Sequence, residues 1–299
     1  MKALFFNEHG ASDAMNIGEF RVSVHDHGSY RLDGGAMFGT VPKALWAKEI
    51  QADAENRIKL ATRSLVVETG GRTFMADAGN GDKGTDKFKA IFDIQNRPPA
   101  ESDFDPGAVT DLVLTHLHFD HAGGVTRFAP AGPPDLELCY PKAIVYVQAA
   151  NFENAKAPNA REKASYLKEN VLPLESGKLR LIYGSEEIHP GIWVHRSDGH
   201  TRGLQWLEVR AGAESVVFPS DLIPTARHIP LAYTMSYDIC AETLLAEKED
   251  FLRRAVQGNW IVVFVHDPDI PAARVKMDEK GRFAVGEVIG FFPGAERHP

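Results

Sequence analysis

The string His116-Leu117-His118-Phe119-Asp120-His121 packs four metal-capable side chains into six residues. At this chain's His and Asp content, an H-x-H-x-D-H pattern would arise by chance in roughly one chain of this size in a thousand. Neutral imidazole and ionised carboxylate suit Zn, Mn or Fe at neutral pH. The spacing sorts the four. On a loop leaving a strand, His116 and His118 can turn the same way toward one ion, while Asp120 and His121 swing toward a second. Four unrelated polar groups on a surface loop are the plainer alternative, and their density argues against it.

Such a loop needs a rigid strand before it and a turn after it. The apolar run 112–114 supplies the strand, and Gly123-Gly124 predicts a sharp backbone turn. Similar short apolar segments predict strands at 64–68, 73–76, 111–115, 143–147, 205–209, 215–218 and 260–265. The clearest helix is predicted over 239–257, with Leu244, Leu245, Leu252, Ala255 and Val256 on one face, Asp238 as N-cap and Gly258 as terminator. A second helix is predicted near 161–170. Strands and helices alternate without a break in composition, so one domain over 1–299 is expected. Segments 24–62 and 220–238 lack a regular pattern and read as loops covering a pocket.

The 299 residues carry 33 Lys+Arg against 41 Asp+Glu, a net charge of −8 with His neutral. No basic cluster is present, which argues against a nucleic-acid partner held by phosphate neutralisation. Cys139 and Cys240 are far apart and have no CxxC partner, so a disulfide scaffold and a zinc ribbon are excluded and a cytoplasmic setting is expected. The N-terminus turns polar too early for a signal peptide, and no run approaches a membrane span.

The histidine string resembles that of the metallo-β-lactamase superfamily, and the rest of the chain matches in order. Asp77-Ala78-Gly79 is similar to the family's D-x-G motif, whose aspartate supports the metal loop from behind without ligating. Gly199-His200-Thr201-Arg202-Gly203 matches its G-H-T-x-G turn, Asp221 its bridging aspartate, and His266 its last histidine. The resemblance covers about 64–266 and implies an α/β fold, a four-layer αβ/βα sandwich with the site along one edge. It implies two divalent ions, Zn first, with Mn, Fe or Co also accepted by such ligands. His116, His118 and His200 would hold one ion, Asp120, His121 and His266 the other, and Asp221 would bridge. Singly, His200, Asp221 and His266 could each be structural; their joint order argues for ligation. His25, His27, His189 and His195 have no motif support, and His228 could line the pocket.

Two divalent ions a few ångströms apart would lower the pKa of a shared water from 15.7 to about 7. Asp120 would then shuttle a proton to the leaving group. This is metal-assisted hydrolysis, and the motif does not choose among lactone, ester, thioester, amide and phosphoester. Asp221 stands where true β-lactamases carry Cys or Ser, and His118 where flavo-diiron members carry Glu. The segments 32–42 and 221–238 resemble the branch of quorum-quenching lactonases and methyl-parathion-type hydrolases. That implies an apolar pocket walled by Met37, Phe38, Val41, Leu45 and Trp46, for a small-molecule lactone or carboxyl ester with an apolar acyl or aryl part. A phosphotriester hydrolase, a non-catalytic metal-binding member and a di-iron protein active on oxygen are the alternatives. One position departs: lactonases commonly place a Tyr three residues after the bridging Asp, where this chain has Pro224, so Tyr233, Tyr237 or His228 would have to substitute. Members of the branch are often homodimers, for which Phe5, Phe6, Trp46 and the run Gly290-Phe291-Phe292 are candidate contacts.

Overall fold

The computed structural model describes residues 14–97 and 105–290; Phe5, Phe6, Phe291 and Phe292 lie outside them. Two sheets face each other. The first runs in the order Met15–Ile17, Phe20–Asp33, Arg57–Thr69, Arg72–Ala76, Asp111–Val113, Ile144–Gln148, Lys178–Ile182. Its pairs are antiparallel as far as Arg72–Ala76 and parallel beyond it. The second runs Glu186–His189, Ile192–Ser197, Leu204–Ala211, Glu214–Phe218, Ile261–Val263, Ala272–Met277, Phe283–Ile289. Only its Glu214–Phe218 and Ile261–Val263 pair is parallel.

Strands covered on both faces read as continuous apolar runs rather than alternating ones. Leu65 and Val67 face the second sheet, where they meet Val194, Leu207 and Phe218. Val66 points the other way, with Met75 and Leu112, onto Phe152, Tyr166 and Val171. The second sheet's outer face, with Trp206, Val217 and Val262, is covered by Leu244, Phe251 and Leu252 of the helix Ala241–Gln257. The layers are therefore helix, sheet, sheet, helix, and every predicted strand lies in one of the two sheets.

The expected loop 24–62 is corrected. Phe20–Asp33 and Arg57–Thr69 form a long antiparallel pair, in register from Arg21↔Glu68 to Asp33↔Arg57, with a bulge between Asp26 and Gly28. Its polar residues hid it from a search for apolar runs. Between the two strands lie only the short helices Gly34–Phe38 and Lys43–Trp46. Segment 220–238 does lack strands, holding two 3-10 turns, Ser220–Leu222 and Ala226–His228. Trp46 is 1% exposed and stacks on Phe38 at 5.5 Å, so it offers no interface. Near 161–170 only Lys168–Val171 is α-helical. Asn159 instead accepts the Arg161 and Glu162 N–H groups in a turn. No helix among the described residues is long and apolar enough to cross a membrane.

The helix Ala241–Gln257 ends at Gly258 as its sequence predicts, but it starts at Cys240 without a side-chain cap, and Leu245 is exposed. Its buried stripe includes Lys248, whose Nζ donates to the carbonyls of Pro230 (2.9 Å), Leu231 (3.4 Å) and Tyr233 (2.7 Å). This one ammonium pins an otherwise irregular segment. Burial pushes the Lys248 pKa down to about 7, against a raising pull from Asp238. The unfolded chain keeps that proton to about pH 10.4. Between pH 7 and 10 the unfolded form therefore binds more protons, so this group makes stability rise with pH. Lys248→Met is expected to remove that slope. It should also destabilise by about 1–3 kcal/mol at pH 7, by leaving buried carbonyls unpaired. Urea unfolding at pH 7 and 9 measures both effects.

Candidate metal centre

Parallel pairing brings the functional loops to one edge. Arg72–Ala76 and Asp111–Val113 pair in parallel with Ala76 opposite Val113, so Asp77 and the loop 114–122 emerge side by side. In the second sheet Val217 opposes Val262, which does the same for Asp221 and His266. Asp77 sits in the left-handed region at φ 63°. Its carboxylate accepts the Thr115 N–H at 2.8 Å, the Thr115 hydroxyl at 2.8 Å and His121 Nδ1 at 2.8 Å. Gly123 and Gly124 have another purpose than the predicted turn. Gly123 is helical at φ −60°, and a Cβ there would lie 1.9 Å from the Asn80 carbonyl oxygen; one on Gly124 would lie 2.1 Å from that of Ala78. They are glycines so that the aspartate loop can press against the histidine loop.

All seven residues expected to ligate come together. The ligand atoms of His116, His118 and His200 lie within 4.8 Å of one another, as do those of His116, His121 and Asp221, and those of Asp120, His121 and His266. His118 Nδ1 is 3.0 Å from His116 Nε2 and 3.3 Å from His200 Nε2, while His121 Nε2 and His266 Nε2 are 3.1 Å apart. Asp221 stands between the groups. Its Oδ2 is 3.3 Å from His200 Nε2 and 3.9 Å from His116 Nε2, and its Oδ1 is 3.1 Å from His266 Nε2 and 3.4 Å from His121 Nε2.

The outer partners decide which nitrogens face inward. His121 Nδ1 donates to Asp77, His200 Nδ1 to Asp238 at 2.9 Å, and His266 Nδ1 to the Ala61 carbonyl at 2.8 Å. A neutral imidazole has one N–H. With that proton turned outward, the Nε2 lone pairs of His121, His200 and His266 point at one another and at Asp221. Asp221 Oδ1 is buried and has no hydrogen-bond geometry to either neighbouring imidazole. Converging lone pairs with an orphaned carboxylate oxygen are what a divalent cation resolves, so the donor set fits one.

The charges tell the same story. Burial, then the neighbouring imidazoles, holds His116 and His118 well below the ordinary histidine value. At His121 burial works downward, but Asp221, Asp120 and Asp77 outweigh it and hold the imidazole well above. Burial would raise Asp221, yet His121, His266 and His200 hold it well below the carboxylate range.

The profile of the metallo-beta-lactamase superfamily matches residues 58–266. The chain belongs to that superfamily. Among curated members, an N-acyl homoserine lactonase from Bacillus sp is 32% identical over 104 residues, 35% of this chain and 34% of the relative. One from Bacillus cereus is 28% identical over 114 residues, 38% of each. The matched stretch thus spans little more than a third of these relatives. Of solved structures, a probable metal-dependent hydrolase from Staphylococcus aureus superposes with a TM-score of 0.82 at 28% identity, over 92% of this chain and 100% of that one. AidC, described as a dizinc quorum-quenching lactonase, gives 0.72 at 19% identity over 92% and 97%, a likeness of fold.

Beside the cluster opens a cavity of about 290 Å³. Leu32, Met37, Phe92, Phe119, Met235 and Tyr237 form its apolar side. Of the wall expected from 37–46, only Met37 reaches it. Phe38, Val41 and Trp46 are buried behind, and Leu45 is 48% exposed. His228 does not line it either: its Nε2 bonds the Met37 carbonyl at 2.8 Å, its ring stacks on Phe38 at 5.0 Å, and burial pushes its pKa down to about 3. Pro224 lends its carbonyl to the His266 N–H. Of the residues proposed to replace a tyrosine there, Tyr237 lines the cavity, while Tyr233 packs edge-on against Phe38.

Sequence reading missed three site residues. Tyr30 donates to Asp120 Oδ2, Asp238 orients His200, and Glu162 lies 4.0 Å from His118 Nε2. The remaining motif-free histidines are held elsewhere; His195, for example, bonds Glu208 at 2.9 Å and stacks on Trp206.

Proposed function

We propose that this chain is a hydrolase using two divalent ions, zinc first among the candidates, to cleave a lactone or carboxyl ester with an apolar acyl or aryl part. The observation that supports it most is the division of Asp221, with Oδ2 toward His116 and His200 and Oδ1 toward His121 and His266. In this reading His116, His118 and His200 hold one ion, Asp120, His121 and His266 the other, and Asp221 serves both. Bound ions would supply Lewis acidity and a water that ionises near neutral pH.

The chain's own groups do the rest. Asp77, Asp238 and the Ala61 carbonyl keep the imidazole protons on the far side. Asp120, 7% exposed on the cavity wall, takes up a proton at its carboxylate and returns it to the leaving oxygen. The apolar side orients the acyl part and keeps bulk water off the reacting carbonyl. A volume of about 290 Å³ stands at the lower end of ligand sites, about 300–1,000 Å³, and favours a short or medium acyl group. The curated relatives named as N-acyl homoserine lactonases support the lactone.

Zinc-loaded protein assayed against short-acyl lactones, aryl esters and a phosphotriester tests the reading. Lactone or ester is expected to give the highest kcat/KM. A phosphotriester ranking first would move the substrate class to phosphorus, and metal-replete protein turning over none of the three would overturn the hydrolase reading.

A further inference from the structure

We propose that Tyr30 is a positioning residue for the ion site formed by Asp120, His121 and His266, an inference that rests on the two-ion reading above. Its hydroxyl donates to Asp120 Oδ2 at 2.5 Å and lies 3.5 Å from His266 Nε2. The side chain is 1% exposed, and its ring is fixed edge-on between Phe119 (6.2 Å) and His266 (5.5 Å).

Asp120 needs such a partner. His121, His200 and His266 each have an outward hydrogen bond that sets the ring. The Asp120 carboxylate has only Tyr30 as a hydrogen-bond partner among the described residues. It also stands in the one-turn helix Phe119–Ala122 and lines the cavity. With Tyr30 in place, Oδ2 is held 3.5 Å from His266 Nε2 and 3.7 Å from His121 Nε2.

The same strand pair serves two of the three ligands. Tyr30 pairs with Leu60 and Ser29 with Ala61, whose carbonyl holds His266 Nδ1. The Phe20–Asp33 strand therefore sets Asp120 by a hydroxyl, while its neighbour Arg57–Thr69 sets His266 by a carbonyl. A register slip of one residue would turn Tyr30 to the other face and release the carboxylate.

The test is zinc affinity, measured by competition with a chelating dye, in wild type, Tyr30→Phe, Asp120→Ala and the double variant, with cobalt absorption spectra as a second readout. Phenylalanine keeps the ring packing, so thermal melting of the metal-free protein should stay near wild type. Tyr30→Phe is expected to weaken one of the two ions about tenfold, leave the other unchanged and alter the cobalt spectrum. In the Asp120→Ala background the same change should add less than about twofold, because no side-chain acceptor remains for the Tyr30 hydroxyl. Wild-type affinities for both ions in Tyr30→Phe would overturn the inference, as would an undiminished tenfold loss in the double variant. Wild-type protein that binds fewer than two ions would instead sink the two-ion reading, and the inference with it.

Discussion

Asp221→Ala is expected to lose at least one of two bound ions and to lower kcat/KM by about a thousandfold or more, equivalent to roughly 4 kcal/mol of transition-state stabilisation. The size follows from where the carboxylate stands. Four imidazole nitrogens lie 3.1–3.9 Å from its oxygens, more ligand contacts than any other residue of the cluster makes through a carboxylate. Alanine removes the negative charge nearest both proposed ions and leaves the lone pairs of His121, His200 and His266 facing each other across a gap. Any cation bound there loses a full ligand, whereas loss of an outer hydrogen bond costs about 10–100-fold. Elemental analysis after dialysis against defined zinc gives the stoichiometry, and turnover of the best substrate gives the rate. Two ions retained with undiminished turnover would remove Asp221 from the ligand set and with it the main support for the paired-ion reading.

Apart from His200, which a glycine turn marks, the residues expected to ligate follow apolar strands by a few residues, and strand ends in parallel pairs share an edge. His116 was found from its own string, and Asp221 and His266 through the order of the family's motifs. What supports them could not be read the same way. Tyr30 is 90 positions from Asp120, and their contact depends on a strand pair whose polar half shows no apolar run. Asp238 was expected to cap a helix, since an acid three residues before Ala241 has the right type for it. Instead its Oδ1 meets His200 and its Oδ2 accepts the Met235 N–H at 2.7 Å, so the charge belongs to the site. The glycine pair shows a subtler failure. Gly123-Gly124 predicts a turn, but glycine also allows two backbones to touch, and only the position of the Asn80 and Ala78 carbonyls tells which purpose applies.

Asp120→Asn separates holding an ion from moving a proton. Asparagine keeps the shape and can still accept from Tyr30 through its amide oxygen, but it has no charge and no basic oxygen for a proton. General acid–base steps contribute about 10²–10⁴-fold. The variant is therefore expected to lower kcat by that order, with KM little changed because the apolar wall still seats the acyl group. The leaving group supplies the discriminating measurement. A nitrophenolate leaves without help from a proton, whereas an alkoxide or an opened lactone's hydroxyl must be protonated as it departs. If Asp120 delivers that proton, the loss should be at least about tenfold larger for the alkyl ester or lactone than for the nitrophenyl ester, at equal zinc content. An equal loss for both, tracking zinc content across the titration, would assign Asp120 to ion binding alone. Restoring full occupancy with excess zinc then decides between the two roles: a ligand defect is recovered by mass action, and a missing proton carrier is not.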